Sequence, residues 1–150
     1  MGNLDDKKWV FAIDPGSDKV GYAVVNFDGT HGELGIDYLP AMHRIFAKYC
    51  RDTKNPPEFL VMGNGTKCSI LCKLFNSLNL DIDIKLADEK NTTYMAKFRY
   101  FQDNPPKGLW KLIPIGMRIP PRPLDDYAAL LIGEKYLKYN RLSEEKNENN

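Results

Sequence analysis

The chain has 150 residues, a formal net charge of +1 and a sequence pI near 7.7. This length suits one domain, and the charge lacks the strongly basic balance that would by itself indicate a nucleic-acid-binding protein. No apolar stretch is long enough to cross a membrane, and residues 1–8 lack the apolar region of a secretory signal. We therefore expect a cytoplasmic protein without a membrane partner, whose three cysteines are reduced and act as small buried hydrophobic residues.

Two apolar strands joined by a tight turn open the chain. Residues 9–13 form an uninterrupted apolar run, which is typical of a strand buried on both faces. Pro15 and Gly16 are turn residues, and residues 20–25 resume a β-branched and aromatic run. Asp14 therefore lies where a central strand reaches the surface, which is a natural position for a carboxylate that holds a metal ion.

The rest of the chain alternates strand and helix patterns. After a hairpin turn at residues 28–30, strands are predicted over 33–39, 58–62 and 82–86, and helices over 40–49, 68–78, 92–101 and 124–139. The proline-rich residues 103–123 contain an apolar run, 109–113, that is a candidate for a further short strand. This order predicts a single α/β domain over residues 1–142, with a disordered polar tail over 143–150. Its mixed sheet has five strands, three leading antiparallel strands and then strands alternating with flanking helices.

Three acidic residues occupy comparable positions in this arrangement. Asp14 and Glu89 follow predicted strands, and Asp125 opens the last helix. Strand ends and adjacent helix starts converge on one rim of such a sheet. Clustered carboxylates repel one another, and Mg²⁺ or Mn²⁺ would resolve that conflict. The alternative is that these residues are helix caps and solvated loop ends; the neighbouring Asp88 and Asp126 are equally placed for either role.

Four segments resemble the RuvC-like branch of the ribonuclease H-like superfamily, especially its YqgF group, which includes Holliday junction resolvases and pre-16S rRNA processing nucleases. The segments are residues 13–23 (strand, Asp-x-Gly turn, strand), 61–65 (strand and glycine loop), 88–96 (Asp-Glu-x-x-Thr-Thr) and 125–132 (Asp-x-x-Ala-Ala helix start). The resemblance covers nearly the whole chain. The sequence departs from the YqgF pattern at Lys90, where the motif has arginine, and in the longer insertion over 103–123.

The resemblance implies a ribonuclease H-like fold and a metal-dependent endonuclease that hydrolyses phosphodiester bonds in branched DNA or structured RNA. Asp14, Glu89 and Asp125 fall on the family's catalytic, metal-binding carboxylates, with Mg²⁺ or Mn²⁺ as the cofactor. Asp125 is preferred to Asp126 because it precedes the alanine pair by three positions, and Asp126 stays a candidate metal ligand. Junction resolution would favour a symmetric homodimer.

Basic and aromatic residues around the predicted rim are candidates for nucleic-acid contacts. The backbone-contact candidates are Lys90, Arg99, Lys107, Arg118 and Arg122; each is equally well an ordinary solvated charge. Trp110 could stack on an unpaired base, but a tryptophan in such an apolar run is expected to cover core. The loop over residues 63–66 either presents amides to a phosphate or makes a plain strand-to-helix turn.

Two other functions compete with a nuclease. A non-catalytic module that binds nucleic acid or protein would need no metal, although the retention of all three acidic residues argues against it. Actin-like ATPases also open with an Asp-x-Gly turn between strands, but they place nucleotide between two such domains, and this chain has room for one. Metal-dependent cleavage identifies the nuclease, and ATP binding identifies the ATPase.

Overall fold

The computed structural model describes residues 7–65, 67–88 and 92–149. Its strands are β1 (Trp9–Pro15), β2 (Lys19–Asn26), β3 (His31–Tyr38), β4 (Leu60–Gly63) and β5 (Ile84–Ala87). They form one sheet in the order β3-β2-β1-β4-β5. β1, β2 and β3 are antiparallel neighbours, whereas β4 runs parallel to β1 and β5 parallel to β4. The predicted mixed sheet of five strands, with three leading antiparallel strands, is confirmed.

Helices cover both faces of the sheet. They are α1 (Met42–Phe46), which continues as a π-helical turn (Ala47–Arg51), α2 (Cys68–Asn76), α3 (Thr92–Asp103) and α4 (Asp125–Glu148). α1 and α2 pack on one face, where Phe11 and Ile13 point, and α3 and α4 pack on the other, where Val10 and Ala12 point. The central strand β1 is thus buried on both faces, as its apolar run predicts. In the described ranges, no helix combines the length and apolar character needed to span a bilayer.

Two glycines allow α4 to lie unusually close to the sheet. A Cβ on Gly133 would lie 2.8 Å from Val25 Cγ2 and 2.9 Å from Ala12 Cβ. At the other end of the contact, a Cβ on Gly21 would overlap the backbone carbonyl of Asp125. The start of α4 is therefore held against β2, next to the end of β1.

Two predictions about the C-terminal third were wrong. The apolar run over 109–113 forms a 3₁₀ turn, Gly108–Leu112, followed by a second turn, Ile115–Met117, and it adds no strand to the described sheet. Pro114 and Gly116, together with the paired prolines at 105–106 and 120–121, interrupt this region and favour turns over a strand. The last helix, predicted to end at 139, continues to Glu148.

The close approach at Gly21 gives a stability prediction. In Gly21→Ala the new methyl group would overlap main-chain atoms of Asp125 that cannot rotate away, so we expect a loss of about 1–3 kcal/mol in the free energy of unfolding. Gly116→Ala is the matched control, since no atom lies within 4 Å of a Cβ there. Urea unfolding of both variants measures the difference. Equal midpoints for the two variants would contradict this account of α4 packing.

Candidate active site at the end of the central strand

Asp14 is the second-to-last residue of β1, next to the turn that leads to β2, and it is half-buried. Because side chains alternate along a strand, Asp14 is on the same face as Val10 and Ala12, which is the face covered by α4. Its partner in the antiparallel register is Gly21. The residue opposite Asp14 therefore has no side chain, and the first turn of α4 occupies that space.

Asp125 is the first residue of α4 and is also half-buried. Its Oδ1 atom lies 3.8 Å from the position of a Cβ on Gly16, in the turn that follows β1. The Asp125 carboxylate is thus directed to the turn that begins two residues after Asp14. A helix N-terminus favours negative charge, so Asp125 is electrostatically suited to its place even beside another acid. The structure brings Asp14 and Asp125 to the same rim and the same face.

Asp126 has a different environment from its neighbour. It is buried, and its Oδ1 accepts hydrogen bonds from Arg122 Nη1 at 3.0 Å and from the backbone amide of Tyr127 at 2.9 Å. The hydrogen bond to Asp126 raises the pKa of Arg122 above its ordinary value. This oxygen of Asp126 is engaged in the fold, so Asp125 is the better candidate of the two for a metal ligand.

The third predicted carboxylate, Glu89, and the neighbouring Lys90 lie outside the described residues. Asp88 is exposed at the end of β5, where it lines a surface cavity of about 460 Å³ with Tyr136 and Tyr139 of α4. Within residues 7–65, 67–88 and 92–149, no three histidine, cysteine, aspartate or glutamate side chains are grouped so as to hold a metal ion. A complete metal site would therefore need a ligand beyond Asp14 and Asp125.

Two of the predicted phosphate-contacting arginines are engaged within the protein. Arg99 Nη1 donates to Glu134 Oε2 at 3.0 Å and thereby joins α3 to α4. The guanidinium of Arg122, besides binding Asp126, lies 5.5 Å from the ring centroid of Tyr100 and 5.7 Å from that of Tyr127. Arg99 and Arg122 thus contribute to the packing of α3 and α4.

Tyr127 joins the same α3–α4 contact and was not singled out by the sequence. Its hydroxyl donates to Asp103 Oδ2 at 3.0 Å, and its ring meets that of Tyr100 edge-on at 5.7 Å. Burial, and secondarily the hydrogen bond to Asp103, raises the pKa of Tyr127, which keeps its hydroxyl a donor. The sequence signal that could have identified this contact is an aromatic residue in the first turn of the helix predicted over 124–139.

Lys107 and Arg118 lie apart from this contact, in the connection between α3 and α4. Both line a groove of about 550 Å³ that also includes Phe101 and Trp110. Trp110 is 68% exposed, so the prediction that it covers core was wrong. The structure thus separates the four described basic candidates into two that join helices and two that line a groove.

The described residues of the glycine loop after β4 form backbone hydrogen bonds within the protein. The amide of Asn64 donates to the carbonyl of Ala87 at 3.1 Å, and the amide of Cys68 donates to the carbonyl of Gly65 at 3.2 Å. The Asn64 amide thus extends the pairing with β5, and the Cys68 amide closes the turn that leads into α2. Thr66 lies outside the described residues.

The three cysteines are free thiols, as expected. Cys50, in the π-helical turn that continues α1, is buried in the core, and burial raises its pKa to about 12. Cys68 and Cys72 are half-buried on α2 with their sulfur atoms 3.9 Å apart, and burial raises the pKa of Cys72 to about 11. These environments suit packing better than thiolate chemistry.

No protein-family model matches the sequence, and no curated protein is significantly similar to it. Among solved structures, Thermus thermophilus RuvC in complex with Holliday junction substrate aligns over 90% of this chain and 96% of its own, with 12% sequence identity and a TM-score of 0.52. A second Thermus thermophilus RuvC structure aligns over 89% and 96% of the two chains at 16% identity, with a TM-score of 0.47. The chain therefore has a RuvC-like ribonuclease H fold, whereas the resemblance to the YqgF group stays a prediction.

The two adjacent aspartates of α4 should respond differently to the same substitution. Asp126→Asn weakens a partly buried, charge-assisted hydrogen bond to Arg122 and should lower the free energy of unfolding by about 1–2 kcal/mol. Asp125→Asn relieves repulsion with Asp14, so the free energy of unfolding should either rise or fall by no more than about 0.5 kcal/mol. Urea unfolding in EDTA compares the two variants. A larger loss for Asp125→Asn would contradict the roles assigned here.

Proposed function

We propose that this protein is a metal-dependent endonuclease that hydrolyses phosphodiester bonds in structured nucleic acid. The observation that carries the proposal is the convergence of Asp14 and Asp125 on one rim of a ribonuclease H-like sheet. Their approach depends on Gly21, which leaves room for α4 beside the end of β1. Paired carboxylates brought together at a strand end are suited to binding a divalent cation.

The donor chemistry fits Mg²⁺ or Mn²⁺. Both ions prefer carboxylate and water oxygens, and Asp14 and Asp125 are half-buried carboxylates on the same face. Glu89 is proposed as the third ligand on the basis of the sequence resemblance. When bound, such a cation supplies Lewis acidity for phosphodiester hydrolysis and offsets the charge of the phosphate.

The protein's own part in this mechanism is to hold the carboxylates in place. Asp14 is fixed by a strand buried on both faces. Asp125 is held by the packing of its backbone on Gly21, and the ion pair between Asp126 and Arg122, three residues before α4, restrains the helix start. Such support keeps ligands in a defined geometry before the substrate arrives. We assign Asp126 and Arg122 this positioning role.

Branched DNA and structured RNA are both proposed substrates. The RuvC neighbour was solved with a Holliday junction, and symmetric cleavage of a four-way junction by this chain would require two copies, hence a homodimer. A binding module without catalysis is the second candidate, supported by the finding that the described residues include no three histidine, cysteine, aspartate or glutamate side chains grouped to hold a metal ion. An actin-like ATPase is not favoured, because the described strands build a single sheet rather than the two domains that enclose nucleotide.

Cleavage assays test the proposal directly. Labelled four-way DNA junction, single-stranded DNA and structured RNA are incubated with Mg²⁺, Mn²⁺ or EDTA. We expect cleavage only with a divalent metal, and a loss of at least about 100-fold in Asp14→Asn and in Asp125→Asn, since even outer-shell changes at metal sites cost 10–100-fold. Asp81→Asn, an exposed aspartate on the loop before β5, is the charge-matched control.

Three outcomes separate the candidates. Cleavage that persists in EDTA or in both site variants would rule out the proposed site. Binding of nucleic acid without cleavage under any metal condition would favour the non-catalytic module. Loss of cleavage in Asp81→Asn as well would mean that the variants report on overall charge rather than on a metal site.

A further inference from the structure

The connection between α3 and α4, residues 104–123, exposes large apolar side chains to an unusual degree. We call it the 104–123 segment. Five of the largest exposed apolar side chains of the described chain belong to it, with exposed fractions of 68–88%: Leu109, Trp110, Leu112, Met117 and Ile119. Three of them, Trp110, Met117 and Ile119, line one groove, and contiguous apolar surface marks an interaction site more often than an ordinary protein surface does.

The charge of the 104–123 segment indicates what kind of partner it fits. It contains four basic residues, Lys107, Lys111, Arg118 and Arg122, and no acidic residue, although the whole chain has a net charge of only +1. A surface that combines exposed apolar and aromatic groups with cations complements unpaired nucleotides, whose bases stack and whose phosphates are negative. Two copies of the segment facing each other would instead bring like charges together.

The groove in this segment is preformed. It has a volume of about 550 Å³, within the range of ligand sites. Arg118 fixes its wall, because its Nε donates to the Ile113 carbonyl at 2.8 Å and its Nη2 to that of Lys111 at 3.3 Å. The same guanidinium lies 5.5 Å from the ring centroid of Phe101.

Proline content and a contact with α3 stiffen the segment further. Six of the ten prolines of the chain lie within it. Lys97 Nζ of α3 donates to the Gly116 carbonyl at 3.0 Å and ties the second turn to that helix. A backbone restrained in this way loses less entropy when a ligand binds. Trp110 and Phe101 thus line a groove whose backbone is restrained before any ligand is present.

The segment is connected at both ends to the candidate active site. It leaves α3 after Asp103, which accepts a hydrogen bond from Tyr127 in the first turn of α4. It ends two residues before Asp125. Arg118 precedes Asp125 by seven residues, so their Cα atoms are at most about 25 Å apart. The Arg118 end of the groove is therefore within about 25 Å of Asp125, a separation that a short single strand can span.

From these observations we infer that the 104–123 segment binds unpaired bases of the nucleic-acid substrate by stacking on Trp110, with Lys107 contacting an adjacent phosphate. Among the described residues, Lys107 forms no ion pair and is exposed. Bases inside a duplex are already stacked and cannot enter the groove. The inference rests on the proposed nuclease function and narrows its substrate to nucleic acid with unpaired nucleotides next to the cleaved bond.

Binding in EDTA tests the inference without requiring cleavage. A labelled single-stranded oligonucleotide and the matching full duplex are titrated with wild-type protein, Trp110→Ala and Trp110→Phe. We expect Trp110→Ala to weaken single-strand binding by about 5- to 150-fold and to leave duplex binding unchanged. Trp110→Phe keeps an aromatic face and should retain most of the affinity. Because Trp110 is exposed, neither variant is expected to unfold the protein.

The salt dependence of binding tests the role of Lys107. Loss of one phosphate contact should reduce the slope of log affinity against log salt by about 0.7 for a single strand. We expect this change in Lys107→Ala and not in Lys54→Ala, an exposed lysine on the loop before β4. An unchanged slope in Lys107→Ala would show that Lys107 makes no contact with a phosphate.

The outcomes distinguish this inference from the proposed function. Equal single-strand affinity of wild type and Trp110→Ala overturns the inference, even where the wild type cleaves nucleic acid. Trp110-dependent binding without any cleavage supports the inference and rejects the nuclease. A shift from dimer to monomer in Trp110→Ala, or binding to anionic lipid vesicles in place of the oligonucleotide, would assign the segment to a different partner and overturn the inference.

Discussion

The close packing of α4 on β1 and β2 is the constraint on which the candidate site depends. Gly21 and Gly133 let the helix backbone approach the sheet where any side chain would collide. Because Gly21 pairs with Asp14 across the sheet, the helix start lies next to the carboxylate of the central strand. The same contact that buries Ala129 and Ile132 therefore also brings two negative charges together. The apolar burial along α4 offsets the cost of that repulsion.

Adjacent acidic residues at the start of α4 serve separate purposes because the helix presents them in different directions. Asp126 turns inward to Arg122, and Asp125 turns to the loop after β1. Arg122 in turn lies on the rings of Tyr100 and Tyr127, which links the helix start to α3. An arginine held in this way is a poor phosphate ligand but a good positioning residue. Cations available to a substrate must therefore come from elsewhere, and Lys107 is one of them.

The strands around Asp14 could be predicted because local pattern and tertiary environment agree there. An apolar run, a turn with proline and glycine, and a second β-branched run leave few alternatives. The resemblance favours Asp125 over Asp126 by motif position, but the different environments of the two side chains could not be predicted from the residues alone, because they depend on how α4 is rotated against Gly21 and Gly133. The run around Trp110 misled for a related reason: local apolar character does not show whether a segment finds a place in the core. Here both faces of the sheet are already covered by α1 to α4, and the 104–123 segment lies outside them.

A site made of carboxylates has little means of recognising its substrate. A cation held by aspartates binds any phosphodiester bond and does not distinguish one base from another or a single strand from a duplex. Selectivity must then arise from surfaces beside the site that distinguish exposed bases from stacked ones. The 104–123 segment has the required chemistry, since it holds aromatic and aliphatic side chains in water on a backbone stiffened by prolines. Exposing those side chains to water is unfavourable for the free protein. Unpaired bases would cover them and so bind favourably, whereas bases stacked in a duplex would not, which would make the protein prefer nucleic acid with unpaired nucleotides.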